Sequence, residues 1–326
     1  MKVLVTGAAG FTGKALTLKL CQLGLDIRIL VRDKSRLDSS FSKKVDVVEG
    51  DIIDDYLVDN AVKGVDKVFH IAALFRQANL PDKIYWDVNV KGTENLLKSS
   101  LKHGVKKFVH CSTIGVHGHI ENPPADEKYR FSPGDIYQVT KLEGERLVKS
   151  YHKNTGLPVT IIRPCTIYGA GDLRLLKLFK IASLRIIPII GNGEVYLHMV
   201  YIDDLVNAFI LASDNNKAIG ESFIIGGPEY VTLNKLFKTI AEILNKPKRV
   251  IHLPAIPFQL AGTLCEAISI PFGINPPIYR RRVDFFTKSR AFDIAKSTEI
   301  LGFTPIESTR TGLIKTYNWY AEQGLL

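Results

Sequence analysis

The chain has 326 residues, 46% of them hydrophobic, with 43 Lys and Arg against 33 Asp and Glu and a formal charge of +10. This composition excludes a disordered chain, and the length suits one large α/β domain plus a smaller lobe. The basic residues are scattered and no nucleic-acid module is present, so the charge excess points to a phosphorylated small molecule, or to solubility alone, rather than to DNA or RNA.

Lys2–Thr6 is a short apolar run followed by a turn and reads as a buried strand. Phe11–Leu23 has helical spacing, with Leu16, Leu20 and Leu23 on one side and Gly24 as its stop. Strands are predicted at Ile27–Val31, Val45–Val48, Val68–Ala72, Phe108–Ser112 and Val159–Arg163, and helices at Ile53–Val62, Val90–His103 and Ile136–Lys153. This alternation predicts an α/β fold with a doubly wound parallel sheet. Beyond Pro164 the pattern loosens: a helix near Leu173–Leu184, a strand Ile186–Ile190, a Gly191–Gly193 turn, a strand His198–Ile202, and a helix with Asp203 as its N-cap. Residues 1–168, rejoined by 196–214, are expected to form the dinucleotide-type domain. Residues 169–195 and 215–326 are expected to form a C-terminal substrate lobe. Between Ile251 and Ile278 the only ionised group is Glu266, but Pro254, Pro257 and Pro271 interrupt any continuous membrane span. Buried lobe helices are the expectation there, with a membrane contact or a greasy substrate mouth as the alternative.

The four cysteines, Cys21, Cys111, Cys165 and Cys265, include no Cys-x-x-Cys pair, which predicts neither a zinc site nor a disulfide framework. Reduced thiols and a first strand at residue 2, with no apolar leader before it, predict a cytoplasmic protein without a metal.

Gly7-Ala-Ala-Gly10-Phe11-Thr12-Gly13 joins the first strand to the first helix. Glycines there permit a tight turn and let backbone N–H groups and the helix N-terminus meet a pyrophosphate. The end of the second strand selects the cofactor: a carboxylate favours NAD, whereas an arginine accommodates the 2′-phosphate of NADP. Here Val31 is followed by Arg32 and Asp33, with Lys34 and Arg36 nearby, which tilts the reading toward NADP with NAD as the alternative. Tyr137 and Lys141 are four apart on a predicted helix and share a face. A tyrosine of ordinary pKa ~10 is a poor base at neutral pH, and a neighbouring ammonium lowers that value. Ser112 and Thr113 add hydroxyls at the carboxyl end of a strand, the edge where α/β sheets bind ligands.

Together these motifs resemble the extended short-chain dehydrogenase/reductase family, over most of the chain. Further matching pieces are Glu49-Gly-Asp51-Ile52, Phe69-His-Ile-Ala72-Ala73, Asn89-Val-Lys-Gly92-Thr93, Arg163-Pro164-Cys-Thr-Ile167-Tyr-Gly169 and Val200-Tyr-Ile-Asp203-Asp204. The resemblance implies a Rossmann-type domain with Thr113, Tyr137 and Lys141 as the catalytic set. It implies cofactor contacts from Gly7, Gly10, Phe11, Thr12, Gly13, Arg32, Asp51, Ile52, Ala72, Ala73, Asn89, Pro164 and Ile167, besides Tyr137 and Lys141. The family's Val-Tyr-Gly is Val116-His117-Gly118 here. The Asp-Glu pair of the sugar-nucleotide dehydratases is replaced by Ile114-Gly115, which argues against elimination of water. The Val31-Arg32 strand end resembles the dihydroflavonol-reductase-like branch, and the long apolar C-terminal segment is similar to the 3β-hydroxysteroid-dehydrogenase-like branch.

The expected activity is hydride transfer between nicotinamide and a carbonyl/alcohol substrate. A sugar-nucleotide epimerase is the alternative, and a non-enzymatic dinucleotide sensor is a third reading that the retained Tyr137 and Lys141 oppose. The substrate is expected to be a small molecule, either a sugar nucleotide or a hydrophobic carbonyl or alcohol, and a homodimer is the default assembly. His70 and His110 are expected in the core. His117, His119 and His198 are candidates for the pocket, and Trp86, Arg76 and Gln77 for substrate contact.

Overall fold

A computed structural model of the chain describes residues 1–37, 39–77, 80–245, 249–269, 276 and 280–326. Among these the strands run β1 (Lys2–Thr6), β2 (Asp26–Val31), β3 (Asp46–Glu49), β4 (Lys67–His70), β5 (Lys107–Cys111), β6 (Val159–Pro164), β7 (Thr166–Tyr168), β8 (Ile186–Ile190), β9 (Tyr196–Tyr201), β10 (Ser222–Ile225), β11 (Tyr230–Thr232) and β12 (Arg249–Leu253). Seven of them form one parallel sheet in the order β10-β6-β5-β4-β1-β2-β3. Successive side chains of a strand face opposite ways, and both faces of this sheet are covered. Val3 and Val5 of β1 pack with Leu16, Leu20, Leu205 and Phe209 on one side, while Leu4 packs with Val58, Val62, Leu96 and Leu97 on the other.

The chain builds outward from β1 through β2 to β3, then returns to place β4 on the other side of β1. The carboxyl ends of β1 and β4 therefore flank the point where strand order reverses, which is where open α/β sheets hold ligands. The expected doubly wound sheet is what the chain forms.

The structure departs from the sequence reading in the details of its second half. Ser222–Ile225, assigned from sequence to the lobe, is the edge strand of the central sheet and runs parallel to β6. Its four residues are all buried and give no alternation to read. Tyr196–Tyr201, expected to rejoin the sheet, instead pairs with β7 and β11 in a three-stranded sheet; it is the following helix, Ile202–Asp214, that packs on β5 and β6. That helix is capped at Tyr201, so Asp203 sits in its first turn rather than at the cap. Asp204 accepts hydrogen bonds from Ile306 N and Glu307 N, tying the lobe's C-terminal segment to the helix. Strands β8 and β12 form a separate parallel pair. Part of the apolar stretch, 270–275 and 277–278, lies outside the described residues. Its first half is the helix Ala255–Ser269, which packs against the helix Arg280–Thr287. No described helix is long and apolar enough to cross a membrane.

Candidate active site

A cleft of about 640 Å³ opens over the carboxyl ends of the central strands. At one end it is lined by Gly7, Gly10, Phe11, Thr12 and Gly13. Gly7 has φ +77°, and a Cβ there would stand 2.7 Å from Ala72 N; a Cβ on Gly13 would stand 2.2 Å from Gly7 O. Only glycine fits either position, because the turn packs backbone against backbone. Gly10 caps the helix Phe11–Gln22 with no side-chain hydrogen bond, so the first N–H groups of that helix are left facing the cleft. Unfilled donors at a helix N-terminus suit the pyrophosphate of a dinucleotide, and the bare glycine rim lets it approach.

Leu30, Val31, Arg32, Asp33, Arg36, Asp51 and Ile52 line the far end on that side. Arg32 and Arg36 are exposed there. Asp33 is occupied locally: its Oδ1 accepts from Ser35 N at 2.9 Å and from Ser35 Oγ at 2.6 Å, which holds its carboxyl below the usual range. Asp51 Oδ1 accepts from Ile53 N at 3.2 Å, fixing the turn at that end of the cleft.

Beneath the cleft runs a buried polar chain. Thr6 Oγ1 is 2.9 Å from His70 Nδ1, His70 Nε2 is 2.9 Å from Thr93 Oγ1, and Thr93 donates to Asn89 O. Thr6 Oγ1 also accepts from Ala72 N. Burial, helped by the Lys141 charge, pushes His70 down to about 3, so the ring is neutral and acts as a spacer between two hydroxyls. Asn89 spends its side chain on the same framework: Oδ1 accepts from Leu74 N, and Nδ2 donates to Leu74 O and Thr140 Oγ1. It is not among the residues lining the cleft, and its side chain forms a strut between the Ala72–Leu74 segment and the helix bearing Tyr137. Asn89 sits in a π-helical segment, Asp87–Lys91, set inside an otherwise continuous helix from 82 to 102; such bulges re-aim side chains at functional sites. The spacing had predicted an ordinary helix beginning at Val90.

Tyr137 and Lys141 both line the middle of the cleft, on the helix Ile136–Thr155. Asp135 caps that helix, with Oδ1 accepting from Gln138 N, and its Oδ2 meets Arg76 Nε at 2.6 Å. The Tyr137 ring stands edge-on to Phe75 at 5.0 Å, with the Arg76 guanidinium 5.5 Å from its centroid. Burial raises the phenol well above its usual pKa, so Tyr137 holds its proton. Burial lowers that of Lys141, opposed by Cys111 and Glu145. Thr113 lines the cleft and its Oγ1 accepts from Gly115 N at 3.0 Å, which leaves its O–H free to donate to a substrate oxygen. Ser112, the neighbouring hydroxyl, also lines the cleft, and its Oγ has no partner among the described residues. Ala72, Ala73, Pro164 and Ile167 complete the walls.

Two features escaped the sequence reading. Glu145, one turn beyond Lys141 on the same face, forms a buried forked pair with Arg163: Nε donates to Oε2 at 3.0 Å and Nη2 to Oε1. This pair clamps the Tyr137 helix to the strand that ends in Pro164. The second is a cationic rim of Arg76, Arg174, Lys288 and Arg290 at the lobe end of the cleft. Arg76 pairs with Asp135, Arg174 with Asp172 and Lys288 with Asp284, whereas the Arg290 guanidinium has no hydrogen-bond or ion-pair partner among the described residues. These four come from distant segments, so no local motif announces them.

Of the side candidates, Arg76 reaches the cleft, while Gln77 N is held by Tyr85 OH and Trp86 lies outside it. His117 stacks on Phe131 and bonds Arg130 O, His119 accepts from Ser289 N, and His198 bonds Gly227 O; none lines the cleft. His70 and His110 are core residues, as expected.

The model of the NAD dependent epimerase/dehydratase family matches residues 3–226. The chain belongs to that family. It is thus an NAD(P)-dependent enzyme of the extended short-chain dehydrogenase/reductase class, as the motifs implied. It is similar to a 3 beta-hydroxysteroid dehydrogenase/Delta 5→4-isomerase of Mycobacterium tuberculosis, at 29% identity covering 98% of this chain and 90% of the relative. At 29% identity it also resembles the N-acetyl-alpha-D-glucosaminyl-diphospho-ditrans,octacis-undecaprenol 4-epimerase of Escherichia coli O157:H7, covering 97% and 94%. Among solved structures, a UDP-glucuronic acid 4-epimerase from Bacillus cereus in complex with NAD superposes with a TM-score of 0.78 and 26% identity, covering 100% of both chains. Members of the epimerase/dehydratase family thus span dehydrogenation, dehydration and epimerisation, and family membership alone leaves the reaction open.

Proposed function

We propose that this enzyme transfers hydride between nicotinamide and a carbonyl/alcohol carbon, using Thr113, Tyr137 and Lys141. The observation that carries this reading is that all three line one cleft with the glycine turn. A nicotinamide dinucleotide, when bound, supplies the hydride donor or acceptor. Tyr137, half-buried in the cleft wall and protonated, gives its proton to the substrate oxygen in reduction and takes it back in oxidation. Thr113 orients that oxygen through its unused O–H. Lys141 holds the nicotinamide ribose and supplies the positive charge that eases proton loss from Tyr137. Ile114 and Gly115 stand where a dehydratase needs its carboxyl pair, so the proposed site lacks acid–base groups for eliminating water.

The cationic rim favours an anionic substrate, and this supports a second reading, a sugar-nucleotide epimerase that returns hydride to the opposite face. Native mass spectrometry of the purified protein, followed by turnover assays, separates the two. Release of a weakly held NADP and net oxidation or reduction of an alcohol/ketone pair is the expected result. Tightly retained NAD with conversion of a nucleotide sugar to its epimer would favour the second reading. Absence of turnover with either class would overturn both.

NADP is the proposed preference. Arg32 and Arg36 flank the site's adenosine end, while Asp33 is engaged by Ser35 rather than presented to a ribose. A charge-assisted hydrogen bond is worth ~1.5–3 kcal/mol, so Arg32→Ala is expected to raise the KM for NADP by roughly 10–100-fold and to change that for NAD little. Equal losses with both cofactors, measured in parallel kinetics, would remove Arg32 from this role.

A further inference from the structure

The helix Ala255–Ser269 carries an apolar stripe that the described residues leave exposed. Ile256, Leu260, Leu264 and Ile268, spaced by four, are 69%, 60%, 61% and 64% exposed. Pro257, Thr263 and Ala267, on the same side, are exposed and uncharged. The opposite side, with Phe258, Ala261, Gly262 and Cys265, is turned toward the molecule. Isolated exposed leucines need no explanation, but four in register along one helix make a continuous apolar surface. The helix is too short to span a bilayer, which leaves lying along a surface as the membrane geometry open to it.

Charge identifies the occupant. Between 249 and 290 there are six Lys and Arg residues and two Asp and Glu; Lys288 and Arg290 line the cleft, whereas Arg280–Arg282 open the helix that packs on this one. A two-fold contact between copies would set this patch against itself and bring like charges together. An anionic lipid surface would attract the same charges while the stripe enters the headgroup boundary. The site adds a reason for that location, since Asp284 and Phe285 of the packed helix, with Lys288 just beyond it, line the lobe end of the cleft. We propose that the stripe Ile256–Leu260–Leu264–Ile268 is an interfacial docking face for an anionic lipid bilayer, set beside the mouth of the active-site cleft. The proposal does not depend on which reaction the cleft performs.

Co-sedimentation of the full chain with phosphatidylcholine vesicles, with and without phosphatidylglycerol, tests it. The wild type should partition onto the phosphatidylglycerol vesicles at least ~10-fold better than onto phosphatidylcholine alone, and high salt should reduce the difference. The Leu260→Asp/Leu264→Asp variant should lose roughly 10-fold or more of that binding, with an unchanged thermal melt because both side chains face solvent. Ile306→Asp, at an 81% exposed apolar site elsewhere, should bind as the wild type does. Wild type left in the supernatant, or equal loss in both variants, would overturn the proposal. So would a dimer in sedimentation velocity that the Asp pair dissolves in the absence of vesicle binding, which would make the stripe a contact between copies.

Discussion

Tyr137→Phe is expected to lower kcat by roughly 10²–10⁴-fold, the range attached to one positioned general acid or base, with substrate KM and dinucleotide affinity nearly unchanged. The substitution removes a single oxygen. The ring keeps its edge contact with Phe75 and its place under Arg76, so the wall of the cleft survives. What disappears is the proton that burial keeps on the phenol. Neither Thr113 nor Ser112 replaces it: Thr113 can donate a hydrogen bond, but an aliphatic hydroxyl is a far weaker acid than a phenol. Steady-state kinetics, with a fluorescence titration of the reduced dinucleotide, separate the two parameters. A Phe variant that retains turnover within about tenfold of wild type would place the proton transfer elsewhere, since one lost general acid costs more than that.

The same residue marks the limit of what the sequence discloses. That Tyr137, Lys141, Gly7, Gly10 and Gly13 share a cleft was legible because each motif is a spacing within one turn or one helix. Thr113 was legible as a hydroxyl at a strand end. Asn89 was picked out by its motif but its partners were not, because Leu74 and Thr140 lie 15 and 51 residues away and its aim depends on a π-helical segment that no periodicity reveals. Arg163 was noticed only as the neighbour of Pro164, although Glu145, its partner, continues the Tyr137–Lys141 spacing by one further turn. The edge strand Ser222–Ile225 was missed because a fully buried four-residue run carries neither helical nor alternating pattern. The cationic rim, assembled from residues 76, 174, 288 and 290, exists only after folding.

The buried Glu145–Arg163 pair yields the largest expected effect on stability. Each side chain is 1% exposed. Removing one partner of a buried ion pair strands the other's charge in a poor solvent, at a cost of ~3–5 kcal/mol. Glu145→Gln should therefore lower Tm on the order of 10 °C, taking roughly 2–4 °C per kcal/mol for a chain of this order of size. Glu145→Leu combined with Arg163→Met should lose less than either alone, because replacing both charges leaves nothing unpaired. The pH dependence gives a separate signature. Although burial opposes it, the Arg163 guanidinium, with Lys149, holds Glu145 down to about 2, against ~4.3 for a free glutamate. A depressed carboxylate contributes its stability in full above the unfolded pKa and loses it as pH falls through the folded one. The wild type should therefore lose stability between about pH 5 and pH 2, and the Gln variant, with nothing to titrate there, should lose correspondingly less, so the two curves converge in acid. Urea unfolding across that window measures the convergence, and parallel curves would show that Glu145 is not the group responsible. The variant should also lower kcat at pH 7, where it remains folded, because the clamp it breaks is the one that fixes the Tyr137 helix against the strand leading to Pro164.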